Sequence, residues 1–157
     1  MNPSGPITSY KEVIEYFRSL CSSHLAVHQF GVGELSDIDI QTQDKTPTKY
    51  PLVFLIPQQS SLDRFGKVTL GFSMIVADIA KDKEDLEVNT HNNTFMIMQD
   101  LLSQLILTDY AVVDMMVETP VNAIPFIERF DHNLAGWTAE LNVFIKSPFT
   151  VCDIPLS

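Results

Sequence analysis

The stretch GKVTLGFSMIVAD, Gly66 to Asp78, decides how the chain folds. Val68, Leu70, Phe72, Met74 and Val76 alternate with Thr69, Gly71, Ser73, Ile75 and Ala77. A period of two places the first set on one side of a β-strand and the second set on the other. The preceding run YPLVFLIP, 50–57, is short and apolar, rich in β-branched and aromatic residues and bounded by Pro51 and Pro57. It reads as a second strand. Between them QQSSLDRFG, 58–66, is long for a hairpin connection but rich in turn residues, so the pair reads as an antiparallel hairpin with a projecting loop.

Working outward, Ser9 followed by Glu12 fits a capping box. Val13, Ile14, Phe17, Leu20 and Cys21 then recur at helical spacing, which predicts an amphipathic helix over about 9–24. Gly31 and Gly33 break that pattern, and 30–48 reads as an exposed connection with Ile38 and Ile40 as anchors. KDKEDLEVN, 81–89, is a charged connection whose acids suit the first turn of a helix. From Thr90 to Leu107, the residues Phe95, Met98, Leu101, Leu102, Leu105 and Ile106 form a wide apolar stripe, the mark of a second helix buried on one face. Met74, Phe95, Met96 and Met98 read as core filler.

AVVDMMVET and AIPFIERF read as strands separated by Pro120. In DHNLAGWTAELNVFIKSPF, 131–149, the residues Trp137, Ala139, Leu141, Val143 and Ile145 share one face of a last strand, which Pro148 closes. Trp137, the only tryptophan, is expected in the core. The order α-β-β-α-β-β-β predicts an α+β fold: an antiparallel or mixed sheet of about five strands, with two main helices packed on one face. The 157 residues read as a single domain, 1–157, with 1–8 and 148–157 as extended terminal segments.

The composition is 45% hydrophobic and 19% charged, which fits a globular protein and excludes general disorder. The net charge is −10 with no basic cluster, so a subunit that grips nucleic acid is not expected. No apolar run approaches the roughly 18 residues that span a bilayer. The N-terminus lacks the basic and apolar blocks of a signal peptide, so the chain reads as intracellular, or assembled inside a cell. Cys21 and Cys152 are too few for a disulfide scaffold and read as thiols.

Candidate chemistry is sparse. His24 and His28 would share a helical face, but zinc needs further ligands and no HExxH glutamate is present. Asp37, Asp39 and Asp44 fall in a loop that reads as a solvated face. Asp131 and His132 resemble a base and its orienter, yet no nucleophile elbow accompanies them, and a turn is the simpler role. Gly31 and Gly33 are too short a motif for a nucleotide loop. Leu62, Arg64 and Phe65 in the hairpin loop are the candidate interface residues. Two large apolar groups and an arginine on a loop either fold back on their own domain or meet a neighbouring subunit.

The layout resembles the tail-terminator and tail-completion proteins of tailed bacteriophages, a group of head–tail joining (neck) proteins. The likeness runs from the first helix through YPLVFLIP, VTLGFSMIVAD, NTFMIMQDLLSQLI and NLAGWTAELNVFIKSPFTVCDIP. The resemblance implies a structural virion protein without catalysis or cofactor, assembled in the bacterial cytoplasm. It implies a homo-oligomeric ring, six- or twelve-fold, that contacts portal, adaptor or tail-tube proteins and lets DNA pass through its lumen. An acidic lumen does not retain a polyanion. Two further classes stay open: an acidic adaptor or chaperone-like protein-binding module, and a small enzyme without a recognisable motif.

Overall fold

A computed structural model describes residues 6–34, 48–107, 114–129, 133–146 and 154–155. The described elements are α1 (Tyr10–Ser23), β1 (Gln29–Val32), β2 (Leu52–Pro57), β3 (Ser61–Leu62), β4 (Lys67–Ile79), a π-helical turn (Asp85–Asn89) running into α2 (Thr90–Leu107), β5 (Met115–Val117), β6 (Asn122–Arg129) and β7 (Asn133–Lys146).

The long strands β4 and β7 form the spine. They pair antiparallel without interruption from Lys67 opposite Lys146 to Ile79 opposite Leu134. β2 and then β1 extend the sheet beyond β4; β1 runs parallel to β2, and all other pairings are antiparallel. On the far side β6 and β5 share the outer flank of β7. Their registers differ by two residues, so residues 118–121 oppose only 141–142. Pro120 falls in this bulge, where a missing backbone donor is tolerated.

The α+β class and the mixed sheet with two helices agree with the sequence reading, but the described sheet has seven strands rather than about five. One addition is β1, whose QFGV segment lies where the glycines suggested an open connection. Pairing with β2 overrides the weak local preference, because strand formation depends on neighbours more than on propensity. The other is β3, hidden in the hairpin connection.

Both helices contribute to one core against one face of the sheet. Ser9 Oγ accepts the Glu12 backbone N–H at 3.2 Å and donates to Glu12 Oε1 at 2.9 Å, which starts α1 at Tyr10. α1 buries Val13, Ile14, Tyr16, Phe17 and Cys21. Ile7, in the segment read as an extended terminus, is only 1% exposed and belongs to the core. One well-placed aliphatic group is enough to anchor it.

α2 has the expected bounds, but its buried stripe is centred on Thr94, Ile97, Met98, Leu101 and Leu105. Phe95 is 40% exposed and Met96 56%, so of the four residues read as core filler only Met74 and Met98 are inside. The apolar stripe was wider than the sheet face beneath it, and its rims stay wet.

Leu70, Phe72, Met74 and Val76 face the helices, as the alternation requires. On the opposite face Leu52, Phe54, Ile75 and Ala77 form a second buried cluster, with Tyr50, Ile56 and Phe126 packed against it. β2 is therefore buried on both faces, which explains its unbroken run of apolar residues. Gly136 lies opposite Ala77, and a Cβ there would collide with the Val76 carbonyl oxygen. Only glycine lets the two spine strands approach so closely.

Among the described residues, no helix is long and apolar enough to cross a membrane.

Candidate subunit interface

The hairpin that joins β2 to β4 is built by register and by one aspartate. β2 and β3 both pair with β4, but their registers differ by one residue, so Gln58–Ser60 form a bulge opposite Leu70 and Gly71. The Gln58 N–H donates to Gly71 O at 2.8 Å, and the Gly71 N–H donates to Ser60 Oγ at 3.2 Å. A Cβ on Gly71 would lie 2.5 Å from Gln59 O, so a glycine here lets the bulged arm cross the strand.

Past the bulge Leu62 pairs with Val68. The Asp63 N–H donates to Lys67 O at 3.0 Å, and the Gly66 N–H donates to Asp63 O at 3.4 Å. Asp63 Oδ1 accepts the N–H groups of Phe65 at 2.8 Å and Lys67 at 2.9 Å. Gly66 adopts φ 81°, the left-handed conformation that closes a three-residue hairpin loop. The tip is thus a hydrogen-bonded turn.

This geometry separates the two readings of the loop. It does not fold back. Phe65 is 91% exposed and Leu62 58%, and Arg64 is exposed between them. The register also brings in residues that the sequence reading missed. Lys67 Nζ sits 3.9 Å from the centroid of the Phe144 ring, a cation–π contact. Lys146 pairs with Asp114 at 3.7 Å. Met116 lies opposite Phe144 and is exposed. This end of the sheet therefore combines Leu62, Phe65, Met116 and Phe144 with Arg64, Lys67 and Lys146. Nothing local marks Met116, Phe144 or Lys146 in the sequence; only the pairing of β7 with β4 and β5 places them here.

The other singled-out residues lie elsewhere. α1 ends at Ser23, so His24 and His28 are not on one helix. His24 Nδ1 accepts the Ala26 N–H at 3.1 Å, which leaves Nε2 to donate to Asp100 Oδ2 at 2.9 Å and ties the end of α1 to α2. Among the described residues no group of three His, Cys, Asp or Glu side chains could hold a metal. Asp37, Asp39, Asp44, Asp131, His132 and Cys152 lie outside the described residues. Cys21 is buried, and burial pushes its thiol up to about 12, which makes it inert as a nucleophile.

Trp137 packs against the main core as a partly buried group. Its Nε1–H donates to His91 O at 2.9 Å, and its ring meets Phe95 and His91 edge-on at 5.1 and 5.9 Å. It clamps the first turns of α2 to β7. On the opposite sheet face Ser73 Oγ accepts from Gln58 Nε2 at 3.2 Å and donates to the Glu140 carboxylate at 2.9 Å. That chain of bonds ties the end of β2 to β4 and β7.

Fold and surface together define an α+β protein on one mixed sheet, with an apolar and cationic hairpin held out from one end. Compared with known families and with curated proteins, the chain matches no family model and no curated protein.

Proposed function

We propose that the chain is a non-enzymatic structural subunit of the neck or tail of a tailed bacteriophage, where it forms a six- or twelve-fold ring between portal, adaptor or tail-tube proteins. The observation that carries this reading is the hairpin tip: Phe65 is 91% exposed on a turn fixed by hydrogen bonds. A rigid turn that presents a large apolar group loses solubility unless a neighbour covers it. The net charge of −10 suits a lumen through which DNA passes without being held.

Replacing Leu62 and Phe65 together with serine tests the reading. The monomer should keep its circular dichroism spectrum and unfolding midpoint, because neither side chain is in the core, yet fail to enter particles viewed by electron microscopy. Particles that incorporate the double variant at the normal level would refute the interface. Gel-shift titration at low salt adds a second check: salt-sensitive duplex binding at micromolar protein would contradict a DNA-repelling lumen.

A further inference from the structure

The two ends of β4 differ in charge. Among the described residues, the hairpin end holds Arg64, Lys67 and Lys146, three of the chain's ten basic residues, against Asp63 and Asp114 as acids. Both acids are engaged: Asp63 by two backbone N–H groups and Asp114 by Lys146. Arg64 and Lys67 have no ion-pair partner among the described residues. The rest of the chain holds seven basic residues against eighteen acidic ones.

The opposite end of β4 is acidic. Residues 78–85 contain Asp78, Asp82, Glu84 and Asp85 against Lys81 and Lys83; Asp78, Asp82 and Asp85 each accept a backbone N–H, and Glu84 is exposed. Glu128 joins them, since it pairs with Leu134, the partner of Ile79 at the last position of β4. This end also exposes apolar groups, Ile79 and Val88. The two ends are separated by the length of β4, about 40 Å at roughly 3.3 Å per residue. One therefore offers apolar groups with cations, and the other offers apolar groups with carboxylates.

We propose that the hairpin end of one copy docks on the acidic end of β4 in a second copy, so that the chain self-associates head to tail. The partner is a second copy because the complementary charge and the complementary apolar groups are on the chain itself. Self-complementary ends on opposite poles define a heterologous contact, which closes into a ring if its rotation permits. Carboxylates facing Arg64 and Lys67 steer the encounter, while burial of Phe65 and Leu62 supplies the affinity. The inference rests on the assembly reading above and names the surface that receives the hairpin.

Sedimentation velocity on the purified full chain is the test. The chain should form species larger than dimers, and its apparent dissociation constant should rise at least about tenfold between about 0.05 M and about 0.5 M salt. The hairpin variant Arg64→Glu with Lys67→Glu, and the acid-end variant Glu84→Lys with Glu128→Lys, should each be monomeric and folded. All four side chains are exposed. Mixed together, the two variants should associate again, because the intact hairpin of one meets the intact acid end of the other and the two reversed ends are themselves opposite in charge. Dimers formed by the acid-end variant alone would show a two-fold hairpin-to-hairpin contact and overturn the proposal. A chain monomeric at every concentration and salt would overturn it as well. The particle experiment on Leu62 and Phe65 tests the neck reading separately, since self-association in solution needs no virion.

Discussion

Trp137→Ala should cost about 3–4 kcal/mol of stability. The side chain is partly buried between α2 and the spine of the sheet. Removing about 150 Å² of apolar surface from water contributes about 3.75 kcal/mol at about 25 cal/mol per Å², and alanine retains a few tenths of it. The lost bond from Nε1 adds at most about 1 kcal/mol. His91 O is not orphaned, because His91 lies in the first turn of α2 and its carbonyl still serves the helix's own backbone ladder. The exposed rim of Phe95 limits the cavity, since that ring is free to settle into the gap. Trp137→Phe separates the two contributions: it keeps most of the area, loses the bond and should cost about 1–2 kcal/mol. Urea unfolding followed by far-ultraviolet circular dichroism gives both values, provided the m-value is unchanged. A cost below about 1 kcal/mol for alanine, typical of surface changes, would refute Trp137 as the clamp on α2. A phenylalanine variant as unstable as alanine would show that the hydrogen bond, not the area, dominates.

Gly136→Ala should destabilise by more than about 2 kcal/mol, because the added methyl meets backbone of the central strand rather than a mobile side chain; a midpoint within error of wild type would show that the strands can part. Ser9→Ala should cost about 1 kcal/mol through loss of the α1 cap, measured by thermal or urea unfolding. The Ser9 hydroxyl is the main reason the Glu12 carboxyl titrates below its ordinary value. A depressed carboxyl stabilises the fold above its unfolded pKa, and that contribution is lost as pH falls through the folded value. In Ser9→Ala the Glu12 titration, followed by NMR, should therefore move up. Cys21, held protonated by burial, should resist maleimide in the native protein and react only on unfolding, as mass spectrometry of its peptide would show; rapid native labelling would contradict its placement.

Local pattern made much of this fold legible. The alternation in 66–78 and 133–146 assigned both spine strands and their core faces, because a period of two admits one set of inward residues. The cap at Ser9 and the apolar run to Leu107 bounded the two helices. The exposed hairpin residues Leu62, Arg64 and Phe65, the candidate interface, stood out for a similar reason: large apolar groups among turn residues are conspicuous in any context.

What the sequence determined by itself was the class of the fold, the faces of its long strands and its acidic balance. Each follows from the order of residues within a segment or from their count. Only the tertiary structure decided that Phe65 points away from its own domain, that QFGV joins the sheet, that Ile7 is core, and that Lys67 and Lys146 meet at one end while the carboxylates gather at the other. Lys67 and Lys146 are far apart along the chain, and nothing near either one encodes the register that pairs them. That register is fixed by burying two long apolar faces together, a property of the folded chain as a whole.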